Sequence, residues 1–344
     1  MPWKVSLGQA RLWSSRSYLI THAHLDHISS LVISAGSLGG PRKCIYATKT
    51  ILQDIETIFS GRIWPDLASW DDSSDKHKLL YKPYVSLPSP LYALFNLAIC
   101  SLEADGLYHA VQAGISIRSF PLNHGADING SYMSSAFSIR HDSSSTEFLF
   151  FGDVEPDSLV STPHTIDIWR AVAPKIPSTL KVIFIECSWP SGRADDMLYG
   201  HLTPEHLVAE LVALARQVVK HRNSELAPRI PAKKRQKTRP VNNEELLDSL
   251  KGLHIYITHC KDNMTSGECE PMRQLITDQV RELVKAHQLG AMIICTEPGM
   301  HISMFLRIGE LTIPDALDRY LRSDYQQQNF FQNLSPHLIH VPIS

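Results

Sequence analysis

Residues 21–27 read Thr-His-Ala-His-Leu-Asp-His, so His22, His24, Asp26 and His27 crowd three imidazoles and a carboxylate into one short stretch. A lone His is an ordinary surface or core residue, and even His-X-His arises by chance in a chain with 17 His. Four such groups together at a buried strand end are different, because desolvating them without a cation to bind is costly. Their ligand chemistry points to a metal centre, one half of a two-metal hydrolase site. Upstream, Tyr18-Leu19-Ile20 is a short β-favouring run; downstream, the Ile28–Ile33 stretch starts a helix. The cluster is thus expected on a strand-to-helix turn. Alternation along an extended backbone sends His22 and His24 to one side, and the turn swings Asp26 and His27 to the other.

The chain of 344 residues, 43% hydrophobic, is long enough for one large α/β domain or two small ones. A formal net charge of −2 supplies no global field to attract nucleic acid or an anionic membrane, so an anionic substrate must be gripped locally. The six Cys lack any Cys-X-X-Cys pair, which argues against a zinc ribbon, a redox motif or a disulfide framework and favours a reducing, cytoplasmic compartment. The N-terminus has no signal-peptide core, and secretion is not expected. The longest apolar run, Leu91–Cys100, is about half of the roughly 20 residues that span a bilayer, and reads as a core helix or part of a lid.

Cys44–Ala47 reads as a strand, with Thr48 capping an amphipathic helix that runs through Ile51, Ile55, Ile58 and Phe59. Trp64–Pro90 is rich in Asp, Ser and Pro and reads as a loop. Its aromatics Trp64, Trp70, Tyr81 and Tyr84 either pin it to the body or flank a pocket. Further strands are expected at Ile115–Phe120, Ala136–Arg140, Glu147–Phe151, Lys181–Ile185, Leu253–Thr258 and Ala291–Cys295. Thr203-Pro204-Glu205 opens a helix that should reach about Lys220, and another should run from near Pro271 to Gln288, with Gly290 ending it. Residues 222–243 form a basic insertion loop centred on Lys233–Lys237, a solvated segment on the plainest reading and a nuclear-localisation or RNA-contact patch on the alternative one. No internal repeat is visible.

Several apolar strands run into a ligand-type residue: Ile115–Phe120 into His124, Phe148–Phe151 into Asp153, Val182–Ile185 into Glu186, and Ile255–Thr258 into His259. His201 precedes the Thr203 helix. Strand ends on one rim of a sheet are where α/β folds gather functional groups. Singly each of these residues reads as structural; with residues 22–27 they make up a two-metal ligand set.

With these residues in view the chain is similar to metallo-β-lactamase-fold hydrolases, whose hallmark is His-X-His-X-Asp-His followed by a separate His, an Asp and a last His. Within that superfamily, LITHAHLDHISSLVISA at Leu19–Ala35 closely resembles the signature of class II cyclic-nucleotide phosphodiesterases. YGHLTPEHL at Tyr199–Leu207 and ITHCK at Ile257–Lys261 resemble the later motifs of that family. The similarity runs from about Trp13 to the strand near Cys295. It implies one domain over residues 1–344 and an αββα sandwich, two mixed β-sheets packed face to face with helices outside. Because the superfamily places strands and a glycine-rich turn ahead of the first His motif, and only 21 residues precede His22 here, the first sheet is expected to be short of N-terminal strands. The insertion at 222–243 lies in a loop, where added length is tolerated.

The resemblance further implies that His22, His24 and His124 hold one ion, that Asp26, His27 and His259 hold the other, and that Asp153 bridges them. The activity implied is hydrolysis of a 3′,5′-cyclic nucleotide, cyclic AMP or cyclic GMP, to the 5′-monophosphate. Two divalent ions about 3.5–4 Å apart share a hydroxide, lower its pKa and clamp the phosphate oxygens during in-line attack. The leaving 3′-oxygen needs a proton; His201 is the candidate donor with Glu186 orienting its ring, and Asp26 is the rival. Zinc is the leading metal, with Mn²⁺ or Fe²⁺ as alternatives. The expected partner is the nucleotide substrate, with neither nucleic acid nor membrane; the oligomeric state, a homodimer being one option, is left open. Two rival readings stand beside this one: an RNA-processing endonuclease of the same fold, against which the near-neutral charge weighs, and an inactive remnant that only binds.

Overall fold

Continuous apolar runs such as Phe148–Phe151 and Val182–Ile185 are what strands buried on both faces require. In a computed structural model the protein is described over residues 17–73, 76–83, 106–127, 130–226, 241–261, 271–297, 299–300 and 302. A smaller sheet is made of β1 (Ser17–Leu19), β2 (Lys43–Ala47), β3 (Ala68–Ser69) and β4 (Leu79–Pro83), in the order β1-β2-β4-β3 with the described pairings parallel. The larger sheet comprises β5 (His109–Gln112), β6 (Ile115–Asp127), β7 (Gly130–His141), β8 (Thr146–Phe151), β9 (Leu180–Glu186), β10 (His254–Thr258) and β11 (Met292–Cys295). These lie side by side from β11 down to β5; β5 to β8 are antiparallel neighbours, whereas β8 to β11 run parallel.

Each sheet buries both faces. In β9, Ile183 and Ile185 join Ile255 and Ile257 of β10 beneath helices α3 (Thr165–Val172), α4 (Pro204–Leu226) and α5 (Met272–Ala286). Phe184, between them in sequence, points the other way and joins Ile115, Ile117, Phe137, Ile139 and Phe148, against which Leu19 and Tyr46 of the smaller sheet pack. The far face of the smaller sheet, with Ile45, Ala47, Leu79 and Tyr81, is covered by α1 (Leu25–Ser34) and α2 (Lys49–Ile58) through Ile28, Leu31, Ile51 and Ile55. Helix, sheet, sheet and helix thus stack in four layers, the αββα sandwich expected. No described helix is long and apolar enough to cross a membrane.

Two local expectations give way. The Trp64–Pro90 segment is not all loop: β3 and β4 form within it because Leu79, Leu80 and Tyr81 are buried, and the surrounding Asp, Ser and Pro hide that short run. Trp70 lies 4.9 Å from the Tyr81 ring, and Trp64 packs on the same core, so these aromatics pin the segment to the body. Helix α4 passes Lys220 and ends at Leu226, which makes the start of the basic insertion helical; Arg222 donates to the Ser249 carbonyl at 3.1 Å and holds the extra turn down. The Leu91–Cys100 run, Tyr84 and Lys233–Lys237 lie outside the described residues. Thr48 caps α2 as read, accepting from the Ile51 amide at 3.3 Å.

Phe184 is fully buried and touches Phe148, Phe150 and Tyr256 where the sheets meet. Phe184→Ala should destabilise the protein by about 3–5 kcal/mol, read as a lowered midpoint in chemical denaturation followed by circular dichroism.

Candidate metal centre

The cluster at 21–27 sits where β1 gives way to α1. His24 is the N-cap, with extended backbone, and its carbonyl accepts from the His27 and Ile28 amides at 3.0 and 3.2 Å. The helix therefore starts at Leu25 rather than at Ile28, and Asp26 and His27 occupy its first turn, where a carboxylate faces the positive end of the dipole. His124 lies inside a strand rather than at its end: β6 continues to Asp127, and the β6–β7 ladder breaks register between Asn123 and Ala126. A bulge re-aims a side chain in this way, and bulges recur beside active sites. Asp153 follows the end of β8, Glu186 closes β9, and His259 follows β10 in a left-handed conformation with φ 56°. Strain of that kind in a non-glycine residue persists where the surroundings over-determine it.

The seven expected ligands converge. The Oδ2 of Asp153 lies 3.2 Å from His27 Nε2 and 3.6 Å from both His22 Nε2 and His124 Nε2. His24 Nδ1 is 3.1 Å from His124 Nε2, so His22, His24, His124 and Asp153 form one donor group. His259 Nε2 lies 3.2 Å from both Asp26 Oδ2 and His27 Nε2, which makes a second. A third grouping overlaps these: Asp153 and His259 with Glu186 and His201, the last placing Nδ1 2.9 Å from Glu186 Oε1 and 3.8 Å from Asp153 Oδ2.

Protonation follows from the hydrogen bonds. His124 Nδ1 donates to the Gly200 carbonyl at 2.9 Å, leaving its Nε2 lone pair for the site. His259 Nδ1 donates toward Ser188 Oγ at 3.0 Å, which frees Nε2 in the same way. Burial, aided by the nearby His27, drives His22 down to about 2; burial likewise lowers His24, His124 and His259, so these rings are neutral. Burial resists ionisation of Asp153 and Asp26, yet both carboxyls lie well below the usual range, Asp153 through His27, His259 and His22, Asp26 through His27, Lys261 and His259. Burial also resists charging of His201, but the Glu186 carboxylate outweighs it and raises the imidazole above its ordinary value.

Neutral imidazoles facing ionised carboxylates are the donor state a divalent cation needs. His22 Nε2 is buried and has no hydrogen-bond partner, although it faces Asp153. A buried ring nitrogen left without a partner is costly, and a cation accepting its lone pair removes that cost. The fold and the donor set thus fit divalent metal ions.

Residues 13–299 match the family described as class-II cAMP phosphodiesterases. The chain belongs to this family. A fission-yeast (Schizosaccharomyces pombe) 3′,5′-cyclic-nucleotide phosphodiesterase is 36% identical over 202 residues, covering 58% of this chain and 51% of the relative. A probable 3′,5′-cyclic-nucleotide phosphodiesterase of Yersinia pestis is 29% identical over 288 residues, or 83% of this chain and 67% of the relative. The match therefore spans only about half of the fission-yeast protein. Among solved structures, unliganded yeast PDE1 superposes with a TM-score of 0.61 at 24% identity, covering 83% of this chain and 68% of that one, which shows a shared fold.

Several residues that shape this phosphodiesterase-family site were not singled out by sequence reasoning. Ser188 Oγ lies 2.5 Å from Glu186 Oε2, linking the Glu186–His201 pair to His259. Tyr132 stacks on His24 at 4.5 Å, nearly parallel, and its hydroxyl accepts from the Ala23 amide at 3.3 Å. Lys261, quoted within ITHCK but given no role, sits 3.2 Å from Asp26 Oδ2 and from His259 Nε2. Nothing in a single sequence marks Ser188 or Tyr132. Gly200 adopts φ 80°, and a Cβ there would stand 2.7 Å from Gly125 N and 2.9 Å from His124 Nδ1. Gly200→Ala should displace His124 and weaken metal retention by roughly 10–100-fold, measured by metal-buffered titration, with the far-ultraviolet circular dichroism retained.

Proposed function

We propose that this protein is a 3′,5′-cyclic-nucleotide phosphodiesterase that hydrolyses cyclic AMP, and secondarily cyclic GMP, to the 5′-monophosphate with two divalent cations, zinc first among them. The reading rests on one observation: two donor groups meet at the buried Asp153, which belongs to the first and lies 3.2 Å from His27 of the second, beside a His201–Glu186 pair, in a chain that carries the motifs of its family. His22, His24 and His124 would hold one cation, Asp26, His27 and His259 the other, and Asp153 both. Such a pair, when bound, lowers the pKa of water and neutralises charge on the phosphate.

The chain's own groups supply the remainder. Glu186 accepts from His201 Nδ1 and so fixes the ring, leaving Nε2 to carry the proton that the departing 3′-oxygen requires. Glu186 is itself held by the Val154 amide at 2.8 Å and by Ser188 Oγ. Asp26, half-exposed and close to Lys261, stays ionised and is the weaker donor candidate. The cyclic phosphodiester is compact, and its leaving oxygen stays tethered to the product, which suits a site gathered around one carboxylate. The RNA-processing alternative has less support, since the chain's net charge of −2 supplies no global attraction for a polyanion.

Metal analysis followed by assay of cyclic AMP turnover tests the reading; two equivalents of metal with 5′-AMP formed is the expected result, and metal without cyclic-nucleotide turnover overturns it. His22→Ala and Asp153→Ala should each abolish activity together with bound metal. His201→Ala should slow turnover by about a hundred- to ten-thousand-fold with metal retained, and loss of metal in that variant would refute its role as proton donor.

A further inference from the structure

We propose that Tyr199, steadied by the Trp189–Arg193 stack, is the platform on which the purine base of the substrate lies. This rests on the cyclic-nucleotide reading above and adds to it a site for the base.

The loop between β9 and α4 is tied to the reaction centre at both ends. At its start Ser188 engages Glu186 and His259, and the Ser188 and Trp189 amides donate to the Leu202 carbonyl at 3.1 and 3.2 Å. At its end the Gly200 carbonyl holds His124, and His201 pairs with Glu186. Between these anchors the loop builds a stack of flat groups. The Arg193 guanidinium lies 3.6 Å over the Trp189 ring and 5.8 Å from the Tyr199 ring. Trp189 Nε1 donates to the Leu198 carbonyl at 2.9 Å and Arg193 Nε to that of Met197 at 2.6 Å, so ring and guanidinium are both pinned to the loop backbone.

Tyr199 itself does little for the fold. The residue is 64% exposed, its hydroxyl reaches only the Met197 sulfur at 3.6 Å among the described residues, and its backbone is left-handed at φ 54°. A bulky residue held in that region without burial to justify it is an outlier that points to function. It is one residue from the carbonyl that orients His124 and two from His201, so its backbone is fixed beside two groups of the site. Leu25, between His24 and Asp26 on the rim, is 67% exposed, and Met197 is 44% exposed, which adds apolar surface around an otherwise polar centre. A 3′,5′-cyclic nucleotide carries its base on a rigid fused ring system, so once the phosphate is held the base needs one flat surface. Tyrosine provides it, and the larger face of a purine gains more from it than a pyrimidine does.

The test compares cyclic AMP, cyclic CMP and the base-free diester bis(4-nitrophenyl) phosphate on metal-loaded protein. In Tyr199→Asn, which keeps a residue tolerant of left-handed backbone, kcat/KM for cyclic AMP relative to the base-free diester should fall roughly tenfold, mainly through KM. The fall for cyclic CMP should be smaller, and Tyr199→Phe should restore the ratio. An unchanged ratio in Tyr199→Asn overturns the platform, as does a parallel loss of both substrates with metal, which would make Tyr199 a loop-shaping residue. Wild-type protein that cleaves the base-free diester but no cyclic nucleotide overturns the functional reading instead, and this inference with it.

Discussion

A single buried carboxylate organises this protein. Asp153 is 2% exposed, and its oxygens stand within 3.2–3.8 Å of imidazole nitrogens from His22, His27, His124, His201 and His259. Removing an ionised carboxylate from water is expensive unless positive charge meets it, and His22, His124 and His259, which burial holds neutral, do not supply that charge by themselves. The site therefore fits a cation, with Asp153 in the donor group of His22, His24 and His124 and 3.2 Å from His27 of the other. What else the fold does near this point can be understood as bringing other groups to that carboxylate.

The sandwich meets this demand through its parallel half. The strands β8, β9 and β10 run side by side in one direction, so Asp153, Glu186 and His259 emerge on the same rim. The first cluster arrives from the other sheet, after β1, and the packing of Phe184, Phe148, Leu19 and Tyr46 between the sheets sets how closely the two sources meet. Gly152 marks that closeness, since a Cβ on it would collide with Ser134 Oγ and stand 2.5 Å from the Thr21 Cβ. Local backbone exceptions, the β6 bulge and the left-handed His259, then aim the remaining donors inward.

Behind the donors lies a second set of groups that decides their protonation. The Gly200 carbonyl and Ser188 select the tautomers of His124 and His259, and Glu186 raises the His201 imidazole above its ordinary value. The loop carrying Gly200 and His201 also displays Tyr199, so the parts that prepare the metal ligands and the part proposed to receive the base are continuous in the chain. A substrate that joins phosphate and base in one rigid unit is matched by a loop that joins their two sites.

Much of this was legible in the residues themselves. Ligand chemistry is a property of short stretches, so His22, His24, Asp26 and His27 pointed to a metal centre; a short apolar, β-favouring run is likewise local, so β6 to β11 were recognised and the sandwich followed from the family motifs. The buried Leu79–Tyr81 strand escaped because its polar, proline-rich flanks dominate the local composition, and the bulge at His124 escaped because a break in register exists only relative to a partner strand. Ser188, Tyr132 and Lys261 touch ligands that lie from two to more than one hundred positions away, and Ser and Tyr are too common to be noticed without that contact. The amino-acid sequence alone thus determined which groups are available and where strands and helices arise, since both depend on near neighbours. Which nitrogen of each ring faces the site, and which carboxylate the rings surround, were decided only by the tertiary packing that brings distant segments within a few ångströms.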